Sequence, residues 1–196
     1  AHLQWRDLIV SGKVPTRSQM YAYHRALQCN LILVLPRGSG KTLIASMVMH
    51  RMWLSTTFAL NALPRLAAAP RHSTAPAVPS AVLARNTSFA VMVVNQVHLV
   101  YVQRDKLALD TGLRICAVGN LSEYTALPGM IERVDFDILV ITTGFMLQML
   151  HRTIHSPLQL RDVCCLVFYD CLHDPFVQCI MHIAQVATWK PRLLAV

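Results

Sequence analysis

Short apolar runs punctuate the chain at near-regular intervals: LILVL at 31–35, FAVMVV at 89–94, RICAV at 114–118, DILVI at 137–141, CCLVFY at 164–169 and RLLAV at 192–196. Each is apolar almost throughout rather than at alternate positions, which predicts strands buried on both faces, as in a parallel sheet. The stretches between them carry the wider spacing of helices, over about 17–29, 41–54, 97–109, 144–151 and 176–186. Strand and helix alternating in this way predict an α/β chain, a doubly wound, mostly parallel sheet in a three-layer sandwich. Ligands are then expected at the carboxyl ends of the strands.

The pattern lapses over residues 55–88, where Pro64, Pro70, Pro76 and Pro79 are scattered among Ala, Ser and Thr. That composition predicts a flexible Pro/Ala-rich surface insertion. At 196 residues the remainder is expected to form one domain, residues 1–196. With 54% hydrophobic residues and a mean hydropathy of +0.41, part of the apolar surface is expected to meet other domains, and the chain to be a piece of a longer protein. No run approaches the roughly eighteen apolar residues that span a bilayer, and the opening AHLQWRDLIV lacks a signal-peptide pattern, so no membrane partner is expected. The six cysteines include no CxxC pair, which points to reduced thiols in a cytoplasmic or nuclear setting. A net charge of +8 favours polyanionic partners, nucleic acid first, although a merely solvated basic face accounts for the charge equally well.

The candidate chemistry begins where the first strand ends. In PRGSGKT, residues 36–42, Gly38 and Gly40 can take backbone angles that side chains forbid, turning successive N–H groups after Pro36 toward one anion. Lys41 would set its ammonium on the outer phosphates of a nucleotide, Thr42 would offer its hydroxyl to Mg²⁺, and the helix that follows adds its positive end. The usual phosphate-loop pattern has a further glycine where Leu35 stands. Pro36, Arg37, Gly38, Ser39 and Gly40 after an apolar strand resemble instead the variant of superfamily 2 helicases, a RecA-like P-loop NTPase lobe that binds ATP and Mg²⁺.

Gln19, twenty-two residues before Lys41, strengthens the resemblance. In this setting the chain resembles Dicer-type helicases and their RNA-sensing relatives, in which a glutamine at that spacing reads the adenine edge. NQVHLVYVQRDKL is similar to the family's first RNA-contacting turn, with Asn95 and Gln96 ahead of Val97. DILVITTGFMLQML is similar to a second, with Thr142, Thr143 and Gly144 at a strand end where small groups can approach phosphate oxygens. A plain strand-to-helix turn is the alternative for either.

In VCCLVFYDCLHDPFVQCIM the resemblance places a Mg²⁺-associated carboxylate, Asp170, after an apolar strand. His173 keeps the spacing of the family's Asp-Glu-Cys-His box and is a candidate coupling residue. Cys171 stands where that box has its glutamate. A thiol cannot orient and deprotonate water as a carboxylate does, and losing a positioned base costs about 10² to 10⁴ in rate. Cys171, His173, Cys179 and His182 are also zinc-type ligands, but without the close paired spacings of zinc modules.

The altered box is most similar to that of invertebrate microRNA-processing Dicers. The resemblance therefore implies the first helicase lobe of a Dicer-like endoribonuclease that binds ATP and double-stranded or hairpin RNA with impaired hydrolysis. Its partners would be a second helicase lobe and ribonuclease III domains of the same chain, and a double-stranded-RNA-binding protein. Two rival readings remain: an active RNA-stimulated ATPase lobe in which another carboxylate such as Asp174 serves as base, and an unrelated P-loop phosphotransferase.

Overall fold

The computed structural model describes residues 5–67, 88–133, 135–151, 162–170, 179 and 192–196. Six strands form one sheet in the order β1-β6-β5-β2-β4-β3, every neighbouring pair parallel. The strands are β1 (Leu31–Ile32), β2 (Phe89–Val94), β3 (Ile115–Val118), β4 (Ile138–Thr142), β5 (Val163–Tyr169) and β6 (Arg192–Ala195). The helices are α1 (Arg17–Gln28), α2 (Lys41–Ala67), α3 (Val97–Thr111), α4 (Leu121–Arg133) and α5 (Thr143–His151), preceded by a 3₁₀ turn at Trp5–Asp7.

Side chains that alternate along the central strands supply two separate cores. Ala90, Met92 and Val94 of β2, with Val140 and Val167, pack with Ala22, Tyr23, Ile44, Val48, Val100 and Leu107 of α1, α2 and α3. Val91, Val93, Leu139, Ile141 and Phe168 point the other way, to Tyr124, Leu127, Met146 and Met149 of α4 and α5. The expected three-layer, RecA-like arrangement is therefore present. It follows from strands apolar at every position, because both faces of a parallel sheet must be covered. Among the described residues no helix is long and apolar enough to cross a membrane.

Several boundaries differ from the sequence expectation. Residues 31–35 read as a buried strand, but β1 is an edge strand whose ladder spans Leu31–Ile32, continued by Leu33 N–H donating to the Ala195 carbonyl at 2.7 Å. With β6 on one side only, its odd residues are half-buried while Ile32 and Val34 are 73% and 85% exposed. Helix α2 runs on to Ala67 rather than ending near 54, so the first part of the Pro-rich stretch is helical. FALNALPRLA is rich in Ala and Leu, both strong helix formers, and the helix runs through Pro64 in spite of its cost. Residues 68–87, and the helix expected over 176–186 apart from helical Cys179, lie outside the described residues.

Helix α4 was absent from the sequence reading, because Pro128 and Gly129 lie in its interior. Its start is nonetheless encoded. Asn120 Oδ1 accepts from Glu123 N–H at 2.9 Å while Glu123 Oε2 accepts from Asn120 N–H at 3.2 Å, a reciprocal cap. Glu123 also takes the Gly119 N–H at 2.7 Å and the Tyr101 hydroxyl at 3.1 Å, which fastens α4 to α3.

Candidate nucleotide and nucleic-acid site

The parallel register brings the candidate residues to one edge. Val94 is level with both Thr142 and Tyr169, so the turns after β2, β4 and β5 emerge side by side. The loop after β1 reaches the same edge and opens α2 at Lys41.

Within that loop Gly38 and Gly40 have φ of +80° and +84°, the left-handed region that residues with a β-carbon resist. Ser39 N–H donates to the Pro36 carbonyl at 3.3 Å, closing the turn, and Ile44 N–H donates to Gly40 at 3.2 Å, starting the helix. A β-carbon at Gly40 would in addition displace the Gln19 carboxamide from its place against the loop. Ser39 Oγ is buried without a hydrogen-bond partner. An orphaned hydroxyl inside a glycine turn, with the end of a long helix beside it, fits an anion. Pro36, Arg37 and Gly38 are exposed, whereas Ser39 through Thr42 are half-buried. Among the described residues Lys41 makes no ion pair, so its ammonium is available to a ligand.

Gln19 sits against this loop. As the third residue of α1 it accepts the Thr16 N–H on Oε1 at 2.8 Å, while Thr16 Oγ1 accepts the Gln19 N–H at 3.3 Å. Its Nε2 donates to the Ser39 carbonyl at 2.8 Å. One carboxamide thus caps a helix and braces the glycine turn. A second lone pair and a second N–H remain with which it could read a base edge.

Thr42, at the first turn of α2, has its Oγ1 3.1 Å from Gln103 Oε1 and 3.3 Å from the Tyr169 hydroxyl. This ties the start of α2 to α3 and to the end of β5. Asp170 follows directly, with φ of +58°, a conformation that Asp tolerates better than most residues. Its N–H donates to the Val196 carbonyl at 2.6 Å, which fixes the turn beside β6. Thr42 and the strand end carrying Asp170 are therefore neighbours. Cys171, His173, Asp174 and His182 lie outside the described residues. Cys179 is buried, and desolvation pushes its thiol up to about 12.

At the neighbouring strand ends, Gln96 is an exposed N-cap of α3 without a side-chain cap bond. Asn95 Oδ1 is buried and unpartnered. Thr142 and Thr143 are buried, and Thr143 Oγ1 donates to the Val94 carbonyl at 3.0 Å, locking the β4 end to the β2 end. Gly144 is exposed, with nothing within 4 Å of where a β-carbon would stand. The sequence reading overlooked Tyr169 and Gln103. Tyr169 had a signal, being a polar-tipped residue that ends a wholly apolar strand beside the loop; Gln103, mid-helix, had none.

No family model matches the chain, and no curated protein matches it. Solved structures do resemble it. The Pyrococcus furiosus Hef helicase domain aligns with a TM-score of 0.60 at 18% identity, over 92% of this chain and 32% of that one. The Sulfolobus solfataricus SWI2/SNF2 ATPase core, solved in complex with dsDNA, aligns with 0.52 at 14% identity, over 98% and 33%. A nuclease-deletion mutant of the Type ISP restriction-modification enzyme LlaGI, in complex with a DNA substrate mimic, aligns with 0.54 at 13% identity, over 94% and 17%. The chain spans a third or less of the length of each. The fold of the described residues is thus the one seen in helicase and SWI2/SNF2 ATPase domains.

Proposed function

We propose that the chain is the ATP-binding lobe of a superfamily 2 helicase of the Dicer type, one that holds nucleotide and RNA but turns ATP over poorly. The observation that carries this reading is the glycine turn at Gly38–Thr42, braced by Gln19 and set beside the β5 end that bears Asp170. Its amides and Lys41 receive the triphosphate, Gln19 contacts adenine, and Thr42 with Asp170 hold Mg²⁺, which when bound neutralises phosphate charge. Double-stranded or hairpin RNA lies along the adjoining turns at Asn95–Gln96 and Thr142–Gly144, where backbone and small polar groups meet phosphates.

Cys171 in the position of the water-activating glutamate is the basis for impaired hydrolysis. The lobe then serves as a recognition platform in small-RNA processing, with the second helicase lobe and cutting domains elsewhere in a longer polypeptide and a cytoplasmic location. The test is RNA-stimulated phosphate release by the full-length protein. Release near background, with ATP still bound, is the expected result. Robust turnover abolished by Lys41→Ala would overturn the platform reading in favour of a working ATPase using another carboxylate.

A further inference from the structure

Thr42 is not free to meet a metal unaided. Its oxygen is shared among three elements: its own at the start of α2, Gln103 within α3 and Tyr169 at the end of β5. A hydroxyl has one proton and an amide oxygen can only accept, so Thr42 donates to Gln103 Oε1 and the phenol proton of Tyr169 points at the Thr42 oxygen. Gln103 is 1% exposed and held by the α3 backbone, so this acceptor stays in place. The chain of bonds therefore runs one way, from Tyr169 through Thr42 to Gln103.

A cation approaching Thr42 meets the phenol proton aimed at the same oxygen and must displace it. Once displaced, the phenol is left half-buried without its partner on Thr42, so the metal-bound arrangement lacks that bond.

We propose that Tyr169 is a specificity-determining residue that sets how strongly the site distinguishes a metal-bound nucleoside triphosphate from a metal-free one. By occupying Thr42 it lowers the advantage that Mg²⁺ would otherwise give. The proposal rests on the reading of Gly38–Thr42 as a triphosphate cradle and adds to it a role for a residue outside that loop.

The experiment is equilibrium binding of a fluorescent ATP analogue to the full chain, in Mg²⁺ and in EDTA. Tyr169→Phe removes only the hydroxyl and keeps the ring. The ratio of affinity in Mg²⁺ to affinity in EDTA is expected to rise about two- to threefold, since one long hydrogen bond of 3.3 Å no longer has to be broken. Tyr169→Leu removes the same hydroxyl with different packing and must move the ratio in the same direction. An unchanged or smaller ratio in the folded variants overturns the role of Tyr169 while leaving the cradle intact. Binding that is absent in both conditions, or indifferent to Lys41→Ala, overturns the cradle and this inference with it.

Discussion

Gln19 shows how much one side chain can settle. It lies where two demands meet: an N-terminal cap for α1 and a brace on the Ser39 carbonyl. Gly40 is the complement of that arrangement, with a positive φ and no room for a β-carbon. Gly40→Ala is expected to cost about 1–2 kcal/mol in backbone strain and, by pushing Gln19 out, to weaken nucleotide binding about tenfold or more; calorimetry and ligand titration check the two effects separately.

His50 offers a second test at this scale. Its ring is buried, and Nδ1 lies 2.8 Å from the Leu8 carbonyl; a carbonyl only accepts, so Nδ1 carries the proton of the neutral ring. Burial pulls its pKa below the ordinary value, while the Leu8 carbonyl and the Asp137 carboxylate pull the other way. In the unfolded chain the ring takes up a proton near its ordinary value of 6.5, before the folded form does. Stability should therefore fall as pH drops through that value and level off below the folded pKa. His50→Gln should flatten that part of the profile in thermal melts from pH 7.5 to 5.

At the scale of elements, the N-terminal segment is held to α3 by Asp110. This carboxylate is 1% exposed and lies in the last turn of its helix, where the helix dipole disfavours negative charge. Lys13 Nζ at 2.6 Å and Ser11 Oγ at 2.8 Å compensate, and Val10 N–H donates to the Asp110 carbonyl at 2.7 Å. Asp110→Ala is expected to destabilise the chain by about 1–3 kcal/mol. Lys13→Ala should cost less, because Lys13 is half exposed and solvent screens it. Urea unfolding of the two variants gives the comparison.

The elements also show what the sequence could convey. The strands over 89–94, 114–118, 137–141, 164–169 and 192–196 were legible to within a residue or two, because burial on both faces leaves an unbroken apolar signature. Helix α4 was not, since the Asn120–Glu123 cap is a weak signal and Pro128 a strong contrary one that tertiary packing overrides. The edge position of β1 could not be read either, because LILVL looks the same whether one neighbour or two flank it. Of the site, the glycine loop and Gln19 were visible as local spacing. The meeting of Tyr169 and Gln103 with Thr42 was not, because it depends on how β5 and α3 are placed beside α2 in the fold.

At the scale of the whole molecule, strand order β1-β6-β5-β2-β4-β3 lays the glycine loop, an acidic turn and two candidate phosphate-contacting turns along one carboxyl edge. A doubly wound sheet concentrates ligand sites at that edge, and the net charge of +8 favours an anionic ligand there. The most direct test of the account is equilibrium binding of ATP to the full chain, wild type against Lys41→Ala. Saturable binding that Lys41→Ala weakens by at least about tenfold is the expected result, a loss of roughly 1.4 kcal/mol or more. Binding that is absent, or equal in the two proteins, would contradict it.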